Sequence, residues 1–96
     1  MIASFACRHT HALWLGQKPT ALPSIIHQTS LRKLTQIQAA TSLVDLRIPP
    51  GNRLEALKGK LQGLHSIRVN DQYRVCFRWA GQNAHELKNH RLPLNL

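Results

Sequence analysis

The residues of this chain able to do chemistry are its cations and its histidines. Six histidines and 13 lysines plus arginines stand against four acids. Cutting RNA without a metal calls for a base to take the 2′-hydroxyl proton, cations to hold the scissile phosphate, and an acid for the leaving oxygen. Arginine and lysine supply the second role, and histidine the first or third. Arg53, Lys58, Lys60, Arg68, Arg74 and Arg78 fall within one stretch, with histidines near the ends of the strands expected there, His65 and His85 among them read as structural or merely exposed. A solvated basic face without a special role is the plainer reading of the same arginines, since exposed charges cost little.

Other chemistries find little support. Cys7, His9 and His11 are the only local cluster of metal-ligating types, and alternation on an extended strand would gather them. They lack the matched second pair of a four-ligand zinc site, so no metal is expected. Cys76 falls mid-strand, where a free thiol behaves as a small buried hydrophobe. The acids Asp45, Glu55, Asp71 and Glu86 are scattered, without a carboxylate pair for glycosidase or two-metal work. No phosphate-cradling glycine loop is present, and no cofactor is expected.

The cations must be positioned by strands. His65, Ile67 and Val69 alternate with Ser66, Arg68 and Asn70, and Tyr73, Val75, Phe77 and Trp79 alternate with Arg74, Cys76 and Arg78. A two-residue turn would pair Ile67 with Arg74 and mix apolar with charged side chains. A three-residue loop, residues 70–72, pairs Val69 with Tyr73, Ile67 with Val75 and His65 with Phe77, leaving one clean apolar face. That register sets Arg68 opposite Arg74 on the polar face, with Arg78 further along and Lys58 and Lys60 arriving from the preceding segment. Like charges placed opposite one another weaken a sheet. A polyanion against that face turns the cost into a gain.

Upstream, residues 1–5 suit a short edge strand, and residues 8–15 two helical turns stopped by Gly16, with Leu13 and Trp14 buried. Ser24 is a candidate N-cap for the main helix, which reaches about residue 41. Ile26, Ser30, Leu34, Ile37 and Ala40 form its buried face, with Arg32 and Lys33 among the residues outside it. Ser42 and Asp45 have capping-box spacing, before Pro49-Pro50-Gly51 breaks the chain. Residues 53–57 are a strand candidate, 58–60 a turn and 84–87 a last strand, while 91–96 carry no pattern and suit a disordered tail. The expected fold is α+β, a single domain over residues 1–96, with two N-terminal helices on one face of a small antiparallel sheet.

The net charge of +9 argues for a nucleic-acid partner, or an acidic protein partner that masks the charge. A membrane partner is not expected, because no basic amphipathic helix stands out and no run approaches spanning length. Cys7 and Cys76 read as reduced thiols, and Arg8, His9 and His11 interrupt any signal-peptide pattern, so the expected location is cytoplasmic.

The block RLEALKGKLQGLHSIRVNDQYRVCFRW resembles the HigB group of bacterial type II toxins within the RelE/ParE superfamily. The PPGNRLEAL and SIRVNDQ runs look closest to its GraT-like members, and the opening MIASF, Ala39-Ala40-Thr41 and the DLRIPPGNRLEALKG approach agree. The likeness covers about residues 1–80 and is most specific over 46–79. It implies a RelE-like fold and a ribosome-dependent endoribonuclease that cuts mRNA in the decoding site. It further implies neutralisation by a helix-turn-helix antitoxin of the HigA type, and joint repression of their operon, with operator DNA reached only through the antitoxin. Lys58 in Leu57-Lys58-Gly59 and Arg74 in Gln72-Tyr73-Arg74 match positions the family uses for RNA and phosphate contact. Arg53 and Arg68 join them by proximity in the register above.

HigB-type chains finish on a strand leading into Asp-Tyr-His, whose histidine and acid serve catalysis. This chain reads Ala84-His85-Glu86-Leu87-Lys88-Asn89-His90 and then RLPLNL. An ungapped count from Trp79 puts the triplet at Arg91-Leu92-Pro93; a three-residue deletion puts it at Lys88-Asn89-His90 and makes His90 the acid or base. The tyrosine and acid are absent either way. The implied function is therefore an mRNA endonuclease toxin, with Lys58, Arg68 and Arg74 on phosphate and His90 moving a proton. The rival is a catalytically impaired RelE-fold protein that binds its antitoxin and, through it, operator DNA. Gyrase poisoning of the ParE kind comes third, because the LKG and NDQYR motifs point to HigB.

Overall fold

The computed structural model describes residues 1–94. Helices α1 (Arg8–Trp14) and α2 (Ser24–Ala39) precede strands β1 (Glu55–Ala56), β2 (His65–Arg68), β3 (Tyr73–Ala80) and β4 (Asn83–Arg91). The strands form one antiparallel sheet in the order β1-β2-β3-β4. Ile67, Val75, Phe77 and Leu87 are fully buried on one face of it, against Leu13 of α1 and Ile26, Leu34 and Ile37 of α2. This is the α+β arrangement expected, with both helices on one face. Among the described residues, no helix is long and apolar enough to cross a membrane.

The β2–β3 hairpin has the three-residue register. His65 pairs with Phe77, Ile67 with Val75 and Arg68 with Arg74, and the Val69 amide donates to the Tyr73 carbonyl at 3.0 Å. The loop has a local cause. Asn70 Oδ1 accepts from the amides of Gln72 and Tyr73, both at 2.8 Å, closing a side-chain-mediated turn that a shorter connection could not contain.

The helices differ from expectation in detail. Pro23, not Ser24, occupies the N-cap position of α2, and Ser24 is its first helical residue. Lys33, assigned to the outer face, is only 5% exposed. Asn52 explains this: its Oδ1 accepts from Lys33 Nζ, while its Nδ2 donates to Gln36 Oε1 at 2.9 Å and to the Leu46 carbonyl at 3.0 Å. Burial pushes the Lys33 ammonium below its ordinary pKa, and Arg32 and Arg68 act in the same direction. The Ser42–Asp45 capping box forms as its spacing indicates, on a 3-10 turn, Leu43–Leu46.

β4 is longer than the 84–87 segment expected. Its buried residues are Ala84, Leu87 and Asn89, a spacing of three and then two, which breaks the alternation that marks a strand. The irregularity is a β-bulge facing β3 between Cys76 and Arg78, where Glu86 adopts φ 59. Residues 1–6 cover the outer edge of β4, bridging in parallel at Ala84 and Leu87. The patternless tail is also ordered further than expected. Arg91 closes β4, and the Leu92 amide donates to the Gln72 carbonyl at 2.7 Å. Residues 95 and 96 of the expected tail lie outside the described residues.

One polar junction ties both helices to β4. Ser30 Oγ of α2 donates to Asn89 Oδ1 at 2.9 Å, and the Asn89 amide donates to Thr10 Oγ of α1 at 3.0 Å. All three residues are buried. Removing the Asn89 side chain keeps the backbone bond to Thr10 but leaves the buried Ser30 hydroxyl without its acceptor. Asn89→Ala is therefore expected to cost about 2 kcal/mol in urea denaturation, more than an exposed asparagine would.

Candidate nucleic-acid interface

Strand pairing arranges the sheet face opposite the helices into rows. Glu55, Ser66, Cys76 and Lys88 stand in register across all four strands. The next row is Arg68, Arg74 and His90. Beyond the bulge, Arg78 pairs with His85, and its Nε lies 3.7 Å from the Glu86 carboxylate. Two guanidiniums and an imidazole thus stand in register on adjacent strands.

Arg74, whose sequence position marked it for phosphate contact, is a buried and braced cation. It is 7% exposed. Its Nε donates to Ser66 Oγ at 2.7 Å, and its Nη2 donates to the carbonyls of Ser66, at 3.2 Å, and of Arg53. Arg53 itself is exposed and adopts φ 47, and it is its carbonyl that meets Arg74. Nη1 has no hydrogen-bond partner among the described residues. Leu92, Pro93 and Leu94 line, with Arg74 and Glu55, a cleft of about 410 Å³. Burial lowers the Arg74 pKa, opposed by Glu55. The like-charged Arg68–Arg74 pair is tolerated because each partner has an acid nearby: Glu55 for Arg74, and Asp71 in an ion pair with Arg68.

His90 is half-buried, and its Nδ1 lies 2.8 Å from the Arg91 carbonyl oxygen. A carbonyl only accepts, so Nδ1 carries the proton and Nε2 is left free to take or give one. The ring lines a cavity of about 230 Å³, walled by Leu61 and Leu64, with Cys76, Glu86, Lys88 and Ala6 completing it. Lys58 and Lys60 are exposed on the β1–β2 connection, whose 3-10 turn Gly59–Leu61 supplies that wall. The structure thus brings Arg68, Arg74 and His90 into one row, with Lys58 and Lys60 on the adjoining loop. Arg78 lies four residues from Arg74 along β3, outside that row.

His65 turns to the helix side and stacks on Phe77 at 6.3 Å, a packing role. Cys7, His9 and His11 do not share an extended strand, because Arg8 already begins α1. Lys88 and Glu86 went unrecognised in the sequence. Alternation counted back from His90 reaches Lys88, but a strand ended at Leu87 hides it.

The two thiols differ in environment. Burial pushes the Cys76 pKa up to about 11, against the pull of Arg74 and Lys88. Burial also raises Cys7, but hydrogen bonds from Thr10 and the His9 backbone outweigh it, and its pKa falls below 9.0. Iodoacetamide at pH 8 is expected to alkylate Cys7 first, and Cys76 only on unfolding. A raised Cys76 contributes stability fully present below pH 9.0 and lost as pH rises through about 11, a loss that Cys76→Ala would abolish.

Known proteins decide the family. A family model described as the RelE-like toxin HigB of type II toxin-antitoxin systems matches residues 10–90. This chain belongs to the HigB-like toxin family. The match ends on His90, the last residue of the row described above. Toxin HigB-1 of Vibrio cholerae is 55% identical over 58 residues, 60% of this chain and 61% of that protein. An uncharacterized protein of Haemophilus influenzae is 38% identical over 72 residues, 75% of this chain and 71% of that protein. The matched stretch therefore spans less than two thirds of the Vibrio cholerae protein. Two helices on one face of an antiparallel sheet make this HigB-like chain RelE-like in fold.

Proposed function

We propose that this HigB-like toxin is a metal-independent, ribosome-dependent mRNA endoribonuclease, held inactive by a HigA-like helix-turn-helix antitoxin. The observation that carries the reading is the row Arg68–Arg74–His90 on the sheet face away from the helices. His90 Nε2 takes the 2′-hydroxyl proton, and the 2′-oxygen attacks the neighbouring phosphorus. The P–O5′ bond breaks as the departing 5′-oxygen takes a proton from water, leaving a 2′,3′-cyclic phosphate on one fragment and a 5′-hydroxyl on the other. Lys58 and Arg68 hold the phosphate oxygens, and Arg74 Nη1 meets the charge that develops on them. Arg74's other nitrogens are fixed to Ser66 and Arg53, so this donor is preorganised rather than recruited.

The antitoxin reading rests on family membership and on the net charge of +9, which an acidic partner would mask. A toxin fold that binds its antitoxin without cutting RNA is the rival, favoured by the burial of Arg74. Primer extension on messages from induced cells separates them. The nuclease reading expects growth arrest and cuts inside translated reading frames, absent from the same message without its start codon. Harmless expression with no cuts selects the rival.

A further inference from the structure

The cavity beside His90 carries groups that phosphate holding and proton transfer leave unused. Leu61 and Leu64 present apolar walls, while Glu86 and Lys88 bring one carboxylate and one ammonium from β4. Its volume, about 230 Å³, is smaller than the ~300–1,000 Å³ of sites for drug-sized ligands, and suits one planar ring system. Glu86 stands there because of the bulge. A non-glycine residue at φ 59 is uncommon, and a bulge beside a functional site serves to re-aim a side chain. Ser4 Oγ accepts the Glu86 amide at 2.9 Å, so the irregular backbone is held from the N-terminal segment. The carboxylate is available: Arg78 Nε lies 3.7 Å away, and both side chains are about half exposed.

We infer that this cavity receives a nucleobase of the cleaved RNA and reads it through Glu86 and Lys88, guanine best and uracil worst. The inference rests on the ribonuclease reading above. A carboxylate only accepts and an ammonium only donates. Guanine offers two neighbouring N–H donors to the first, with its O6 acceptor beside them for the second. Adenine and cytosine offer a single amino group. Uracil flanks its one N–H with two carbonyl oxygens, which the carboxylate repels. Leu61 and Leu64 cover the ring without regard to its identity. The base then enters the same cavity that His90 lines, which brings its ribose toward the free Nε2.

The test has two arms. NMR titration of the toxin with GMP, AMP, CMP and UMP reads the cavity without any cleavage. GMP is expected to shift Leu61, Leu64, Cys76 and Lys88 and to bind about tenfold tighter than UMP. In Glu86→Gln, the amide pairs best with adenine, and the order is expected to change to AMP first. Equal binding of GMP and UMP, or shifts confined to the helices, overturns the inference. Sequencing of cut ends from ribosome-bound messages is the second arm. It is expected to show guanine enriched beside the cut for the wild type and adenine for Glu86→Gln. Absence of any cut sinks the ribonuclease reading instead, while the titration still decides the cavity.

Discussion

Arg74→Ala is expected to lower the stability of this toxin by about 3 kcal/mol, the largest loss of any arginine substitution on the sheet. The reason lies in what the guanidinium holds. It spans from Ser66 Oγ to the Arg53 carbonyl and is itself buried, so its removal leaves acceptors without donors and a void where the side chain packed. Hydrogen bonds to a charged group contribute roughly 1.5–3 kcal/mol each, not additively, and the relieved burial of the charge offsets part of the sum. Arg74→Lys keeps the charge, but a single ammonium cannot span both partners, and a loss of about 1–2 kcal/mol is expected. Arg78→Ala, an exposed cation with one weak ion pair, is expected to stay within about 0.5 kcal/mol of wild type. Urea denaturation of the three variants checks the order. If Arg74→Ala were as stable as Arg78→Ala, Arg74 would be neither buried nor braced in solution.

His90→Ala separates chemistry from stability in the opposite sense. The ring is half-buried and makes one hydrogen bond, to the carbonyl of the next residue, so denaturation is expected to change by less than about 0.5 kcal/mol. Cleavage on programmed ribosomes is expected to fall by about 10²–10⁴-fold, the range of a lost general acid or base. Full cleavage by a folded His90→Ala toxin would remove the imidazole from the mechanism and pass the proton to another group on this face. Lys88, two residues back along β4, would be the first to test.

The sequence carried the sheet further than it carried the site. The β2–β3 register followed from one requirement, that Ile67, Val69, Tyr73 and Val75 share a face, and it placed Arg68 opposite Arg74 correctly. The α2 core face followed in the same way from helical spacing at Ile26, Ser30, Leu34 and Ile37. What resisted was tertiary. Nothing local to Lys33 announces that Asn52 will approach and bury it. Nothing in RLPLNL shows that Leu92 and Leu94 will line a cleft with an arginine from another strand.

The bulge at Glu86 was the most costly omission. One extra residue broke the alternation, shortened the expected strand to Leu87, and so concealed that His90 stands opposite Arg74. The same residue supplies the carboxylate of the cavity beside His90. Local irregularity and candidate site coincide here, as expected where function is built on a departure from regular structure.

The central claim is that RNA lies on the sheet face opposite the helices, and crosslinking tests it most directly. His90→Ala toxin would be irradiated with mRNA on programmed ribosomes and its crosslinked peptides mapped by mass spectrometry. Crosslinks are expected on the β1–β2 connection and on β4, at Lys58, Lys60 and Lys88. Crosslinks confined to α1 and the outer face of α2, around His27 and Arg32, would place the RNA on the other side of the molecule and contradict the account.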